Sequence, residues 1–314
     1  MLNKLADKLL GNEFDRLLKK ATKQNEKRFL IYWNRGLGDI ALGLYALFER
    51  IKTSIPGAEI TVVTREELAE AFQLLDVGRV LVVPELARSS PWSPTEAFSR
   101  LGLNLREFDV VLERANPTKW LPSQIGRVTP RLQWKPEYDA LCDKFDLPGG
   151  KLFVAAHVNS ETGHFYGYVK DWPIAQWQAL FTALEASHSV EIVLFGHSRD
   201  DAFVSPGVVD LRGQTSLLEM LSVIKNRCQV LIAPDSGILS MTYYLDCFFP
   251  LTLVSLWADP RQGVLKQSVA SPNQGLRHFP LLGPQEDVSK IEVNEVLSIV
   301  VNTLQKAGGG RATP

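Results

Sequence analysis

Residues 211–237 read Leu-Arg-Gly-Gln-Thr-Ser-Leu-Leu-Glu-Met-Leu-Ser-Val-Ile-Lys-Asn-Arg-Cys-Gln-Val-Leu-Ile-Ala-Pro-Asp-Ser-Gly, and the spacing of apolar positions changes partway along. Leu217, Leu218, Leu221 and Ile224 fall three or four residues apart, the period of one helix face, behind Thr215 or Ser216 as a cap. Gln229-Val-Leu-Ile-Ala233 is then short, apolar and closed by Pro234, the pattern of a central strand buried on both faces of a parallel sheet. Asp235, Ser236 and Gly237 follow directly, where such a strand delivers its ligand-binding groups and where a new helix opens. The unpaired N–H groups of that helix favour an anion, and a diphosphate suits the place.

The same alternation recurs along the chain. Strands are expected over residues 28–33, 59–64, 79–83 and 108–112, then over 151–157, 191–195, 208–211 and 252–257. Between them fall helices at 40–53, 66–75 and 95–101. Another runs from Tyr138 to the Leu147-Pro-Gly-Gly150 break, one begins at Lys170-Asp-Trp-Pro173 with Asp171 as its cap, and a last covers 291–306. Alternation of this kind implies an α/β protein with parallel, doubly wound sheets. At 314 residues two domains are expected, and the Pro-Gly-Gly break divides them into 28–148 and 149–314. Residues 1–27 form an amphipathic helix ahead of them. Leu2, Leu5, Leu9, Leu10, Phe14, Leu17 and Leu18 alternate there with a basic face, so the helix either docks on the first domain or lies on an anionic membrane surface.

Composition excludes several classes. Hydrophobic residues at 45% and charged residues at 22% describe a globular chain, and a formal net charge of −1 gives no field for a nucleic acid. Cys142, Cys228 and Cys247 are far apart and lack metal-ligand spacing, so neither a zinc site nor a disulfide framework is expected. That usage suits a reducing cytoplasm. No apolar run reaches the length of a membrane span and no leader pattern opens the chain, so the expectation is a protein neither exported nor membrane-spanning.

In the first half, Asn34-Arg-Gly-Leu-Gly-Asp-Ile40 joins a strand to a helix. Its glycines allow a tight turn and close approach of a ligand, and Asp39 projects near the helix start. The loop is not a dinucleotide fingerprint, because Leu42 holds the place of the third glycine. Taken alone, Asp39 is equally a functional carboxylate or a plain helix cap. Residues 116–136 are rich in Pro, Trp and basic side chains, the composition of a cleft rim or of an ordinary loop. Two Rossmann-like halves with polar strand ends suggest a nucleotide-dependent transferase or a two-domain binding protein.

Five segments carry a resemblance. Gly36-Leu-Gly-Asp-Ile40, Lys170-Asp-Trp-Pro173, Leu194-Phe-Gly196, Leu211-x-Gly-x-Thr-Ser-Leu217 and Asp235-Ser-Gly237 occur in the order and spacing of glycosyltransferase family 9, which includes the ADP-heptose:lipopolysaccharide heptosyltransferases. The likeness runs from about residue 28 to 267. It implies a GT-B fold, two Rossmann-like domains facing across a cleft, with the acceptor on the N-terminal domain and the donor sugar nucleotide on the C-terminal one. No metal and no cofactor beyond the nucleotide-sugar co-substrate are implied.

By that resemblance Asp39 is the general base on the acceptor hydroxyl and Lys170 meets the donor phosphates. Gly36, Gly38, Gly196, Asp235, Ser236, Gly237 and Ser240 fall on the donor side, where Asp235 either contacts the phosphates or braces their loop. Lys119 and Arg127 would meet the acceptor. Arg261 or Lys266 would reach the diphosphate, and Arg199, Asp200 and Asp201 lie where the ribose is read. Family members commonly continue Asp-Ser/Thr-Gly-x-x-His; here Ser240 stands in the histidine's place, and His157 or His164 could substitute. The implied activity is inverting, metal-independent transfer of a heptose or related sugar, from a donor such as ADP-heptose, to a lipopolysaccharide core or similar glycan. The implied place is the cytoplasm, with peripheral contact to the inner membrane. The alternatives are a non-catalytic sugar-nucleotide or glycan-binding protein of the same fold, and a different GT-B enzyme.

Overall fold

The computed structural model describes residues 12–88, 90–160, 170–187, 190–196, 203 and 207–309. Two compact units divide the chain between Gln133 and Trp134.

The first unit opens with α1 (Glu13–Gln24). Asn12 caps it reciprocally with Asp15, and Asn25 ends it in the left-handed conformation at φ 55°. Its apolar face is covered: Phe14, Leu18 and Ala21 are buried, and Phe14 stacks on Trp120 at 5.1 Å. Over these residues the helix therefore docks on its own unit. Residues 1–11, the rest of the expected amphipathic stretch, lie outside the described residues.

Four parallel strands follow, β1 (Arg28–Trp33), β2 (Glu59–Thr64), β3 (Arg79–Val82) and β4 (Val110–Leu112), in the order β3-β2-β1-β4. Ile31 of β1 stands beside Val62 on one side and Leu112 on the other, in unbroken register. A π-helical turn (Ile40–Leu44) leads into α2 (Tyr45–Ser54); α3 (Glu66–Gln73), α4 (Pro94–Arg100) and the short α5 (Pro117–Trp120) complete the unit.

The second unit holds β5 (Leu152–His157), α6 (Ile174–Ser187), β6 (Val190–Phe195), β7 (Val208–Asp210), α7 (Leu217–Arg227), β8 (Cys228–Pro234), α8 (Gly237–Tyr243), β9 (Leu251–Trp257), α9 (Gly263–Gln267), β10 (Leu276–Leu282) and α10 (Val293–Gly309). Its sheet runs β10-β9-β8-β5-β6-β7, all parallel. Numbered from its own first strand, this is the doubly wound order in which the winding reverses beside that strand. The first unit shows the matching beginning of that pattern.

Alternate residues Val154, Ala156, Ile192, Leu194, Val230, Ile232, Val254 and Leu256 form one sheet face, packed against Trp177, Leu180, Phe181 and Leu184 of α6 and Val296, Val300 and Leu304 of α10. Burying each large side chain contributes roughly 1.5–3 kcal/mol, so this layer holds the unit together.

Three expectations need adjusting. The boundary expected at 148/149 falls inside the second unit. The 3-10 stretch Pro136–Lys144 packs on α7, where Cys142 N–H donates to Ser222 Oγ at 3.0 Å and Lys225 pairs with Asp139 at 2.7 Å. Pro-Gly-Gly is therefore a turn before β5 rather than the seam. The helix expected from Tyr138 to the Pro-Gly-Gly break is this 3-10 stretch, which already ends at Lys144. The third is β10, which sequence periodicity did not mark because Pro280 interrupts it and Phe279 and Leu282 are exposed. A proline survives in a strand at a sheet edge, which is where β10 lies.

Candidate functional site

Ligands of open α/β sheets bind outside the carboxyl ends of the strands, where the winding reverses. In the second unit that place is between β5 and β8, and in the first between β1 and β4.

At the second unit's reversal, Asp235 leaves β8 with its N–H still donating to Leu256 O at 3.2 Å. Lys170 Nζ approaches Asp235 Oδ2 to 2.5 Å, and both side chains are largely covered, 15% and 13% exposed. The neighbours of Lys170 are pinned: Asp171 accepts from the N–H of Ser160 just past β5 at 2.9 Å, and Trp172 Nε1 donates to Ile291 O at 3.1 Å. Asp171 thus ties down the loop instead of capping the following helix, and its burial raises the carboxyl's pKa. On the far side of Asp235 is Gly263, at φ +51°. A Cβ there would stand 2.6 Å from Asp235 Oδ1 and 2.7 Å from the Trp257 ring. The carboxylate is therefore clasped between the lysine and the loop after β9. This arrangement holds a cation in a fixed direction and balances its charge, ready to share it with an anionic ligand.

Ser236 is the N-cap of α8, its Oγ accepting from Leu239 N–H at 3.2 Å, and Gly237 is the first helical residue. Ser240 is buried at 1% exposure, and its hydroxyl donates back to Ser236 O at 3.2 Å. Its proton is thereby spent inside the helix. Gly196, past β6, leaves room for a neighbour: a Cβ there would stand 2.3 Å from Asn159 Oδ1, so the missing side chain admits the Asn159 amide. His157 ends β5 and is 6% exposed. Arg261 pairs with Asp259 at 2.7 Å and Glu286 at 2.8 Å, and Lys266 is exposed. His164, Arg199, Asp200 and Asp201 lie outside the described residues.

At the first unit's reversal, Asp39 immediately precedes the π turn and makes no side-chain cap bond to it, so the plain-cap alternative is not what the fold adopts. Its carboxylate lies over Gly36, where a Cβ would meet Asp39 Oδ2 at 3.2 Å and Arg88 Nη2 at 3.9 Å. Gly36, and Gly38 beside Asp39, belong to this loop and so to the same unit as the candidate base. The other residues expected on the donor side, Gly196, Asp235, Ser236, Gly237 and Ser240, lie in the second unit. A cavity of about 340 Å³ opens between the ends of β1 and β4, lined among others by Tyr32, Trp33, Arg35, Glu113, Arg114 and Asn116. Arg35 also sits over the Trp33 ring at 5.4 Å.

Lys119 and Arg127 do not line this cavity. Lys119 Nζ is 3.1 Å from Glu13 Oε1, a carboxylate that Trp120 Nε1 also reaches, and these bonds lower the pKa of Glu13. Arg127 is exposed. Sequence reasoning passed over Arg65, Asn34, Arg88, Glu113 and Arg114. The only signal for them was position, each lying within a few residues of a strand's carboxyl end or in the polar loop after β3.

Residues 134–245 match glycosyltransferase family 9 (heptosyltransferase). No curated protein matches the chain. Among solved structures, Escherichia coli ADP-heptose lps heptosyltransferase II superposes with a TM-score of 0.60 at 16% identity, covering 90% of this chain and 99% of that one. A family 9 glycosyl transferase from Veillonella parvula gives 0.56 at 14%, covering 89% and 97%. E. coli heptosyltransferase WaaC with ADP-2-deoxy-2-fluoro heptose gives 0.52 at 17%, covering 88% and 99%. At these identities the structures establish the GT-B-like fold, and the matched segment contains Lys170, Asp235, Ser236, Gly237 and Ser240. The chain is thus similar to glycosyltransferase family 9 in sequence over residues 134–245 and in fold over nine-tenths of its length, which supports glycosyltransferase activity.

Proposed function

We propose that the chain transfers a heptose or related sugar from a nucleotide diphosphate donor, ADP-heptose being the first to try, to a lipopolysaccharide core or similar glycan, with inversion and without a metal. The observation that carries this reading is the Lys170–Asp235 pair at the second unit's winding reversal, inside the family-matched segment. In the reaction, Asp39 takes the proton of an acceptor hydroxyl as that oxygen attacks the anomeric carbon. The bond from that carbon to the diphosphate breaks, and the lysine stabilises the charge gathering on the departing oxygen. Asp235 keeps the lysine aimed, and the α8 N-terminus adds backbone N–H groups. The acceptor sits on the first unit, and the cavity beside β1 and β4 suits a sugar ring, with the Trp33 ring and charged arms on its wall.

The supporting neighbours include a structure holding an ADP-heptose analogue, which favours an ADP-linked donor for this chain as well. The work would take place in the cytoplasm, at the inner face of the membrane that carries the acceptor; no described helix is long and apolar enough to cross a membrane. The test is acceptor-dependent release of ADP when the chain is given ADP-heptose and a truncated core acceptor. Turnover supports transfer, and absence of any donor binding refutes it. A second reading, a non-catalytic sugar-nucleotide-binding protein, is favoured by Ser240, whose hydroxyl is turned to its own helix at the place where the family resemblance implies an imidazole. It requires donor binding with no turnover.

A further inference from the structure

Arg65 is buried at 2% exposure at the end of β2, a costly place for a guanidinium unless its charge is used. Its Nη1 donates to Asn34 Oδ1 at 2.9 Å and to Arg35 O at 3.0 Å, while its Nε stands 3.4 Å from the Glu67 carboxylate. Asn34 in turn donates through Nδ2 to Ala87 O at 3.1 Å. Asn34 and Arg35 open the loop that ends at Asp39, and Ala87 precedes Arg88, whose guanidinium shares the space over Gly36 with the Asp39 carboxylate. Arg65 and Asn34 together therefore link three segments: the end of β2, the loop after β1 and the loop after β3.

We infer that Arg65, acting through Asn34, is a positioning residue. It holds the glycine-containing loop and the Arg88 loop in register, so that the candidate base keeps one direction. A strand end could be filled more cheaply by an apolar residue. A guanidinium is suited here because it carries several donors: Nη1 alone serves the Asn34 side-chain oxygen and the Arg35 carbonyl, while Nε faces the Glu67 carboxylate. The inference rests on the sugar-transfer reading for its kinetic consequence but not for its structural one.

The test uses the full chain with Arg65→Met, Arg65→Lys, Asn34→Ala and the Arg65→Met/Asn34→Ala double variant. Kinetics are read with ADP-heptose and a truncated acceptor, and amide hydrogen exchange is read over residues 34–39. Expected for Arg65→Met is a kcat lower by roughly 10- to 100-fold with the donor KM within about twofold, as for a misplaced catalytic group. Exchange at 34–39 should rise roughly tenfold while β1 is unchanged. Arg65→Lys should recover part of both, and the double variant should lose no more than the worse single one, since both substitutions cut the same link. Wild-type kcat in Arg65→Met, an equal loss shared by KM, or unchanged exchange in Asn34→Ala would overturn the inference. If the wild type shows no turnover, the sugar-transfer reading fails and exchange alone decides: faster loop exchange upholds the brace, and unchanged exchange removes it.

Discussion

Single residues set the chemistry through what stands next to them. Lys170 is held by Asp235, and Asp235 by Lys170 and the closeness of Gly263. If the lysine stabilises the leaving diphosphate, Lys170→Ala lowers kcat by roughly 10²–10³-fold, the range for removing one preorganised donor, and Lys170→Arg retains part of the rate. Steady-state kinetics with the donor varied would show it. Gly263→Ala places a methyl group against Asp235 Oδ1 and the Trp257 ring at φ +51° and should cost about 1–3 kcal/mol, read as a lower urea midpoint at unchanged slope. The strand-end pattern brought Asp235 forward, and the family resemblance brought Lys170. Their pairing was not legible, because it depends on two loops far apart in the chain meeting at one strand end. Arg65 was invisible for a related reason: a basic residue beside a helix start reads as surface, and only burial shows that it is spent inward.

Elements were legible wherever apolar spacing was regular. β1 and β2 lie at the expected residues, and Ser216 caps α7 reciprocally with Glu219. β10 was not legible, and tertiary contacts hold it: it pairs along β9 from Leu276 to Leu282. Trp257 Nε1 donates to Ser255 Oγ at 2.6 Å, and that hydroxyl shares a hydrogen bond of 2.6 Å with His278 Nε2. Burial pushes the His278 pKa down to about 4. The unfolded chain has an ordinary histidine near 6.5 and so takes up a proton first on acidification. The stability from this site is present above about pH 6.5 and is lost as pH falls toward about 4, amounting to about 1–2 kcal/mol by about pH 5. Urea midpoints at neutral and mildly acid pH should diverge for the wild type, and this part of the divergence should vanish in His278→Asn. Equal pH dependence in both would contradict the half-buried neutral ring. In the opposite layer of contacts, Trp177→Ala opens the α6 face of the core and should cost about 3–5 kcal/mol, measured the same way.

Across the whole molecule, two parallel sheets share one winding pattern, and each carries its candidate groups where that winding reverses. Each unit also buries an arginine at a strand end: Arg65 after β2, and Arg212 after β7, where it clasps Asp210 at 3.0 Å. The pattern of units was readable from alternation, but their seam was not, because a Pro-Gly-Gly turn resembles a linker whether or not the preceding segment packs forward. The division of labour between units is tested most directly by comparing wild type with Asp39→Asn for both acceptor-dependent ADP release and equilibrium binding of ADP-heptose. A base on one unit and a donor site on the other predict turnover reduced by roughly 10²–10⁴-fold with the donor dissociation constant unchanged. Wild-type turnover in the variant, or donor binding lost together with it, would contradict the account.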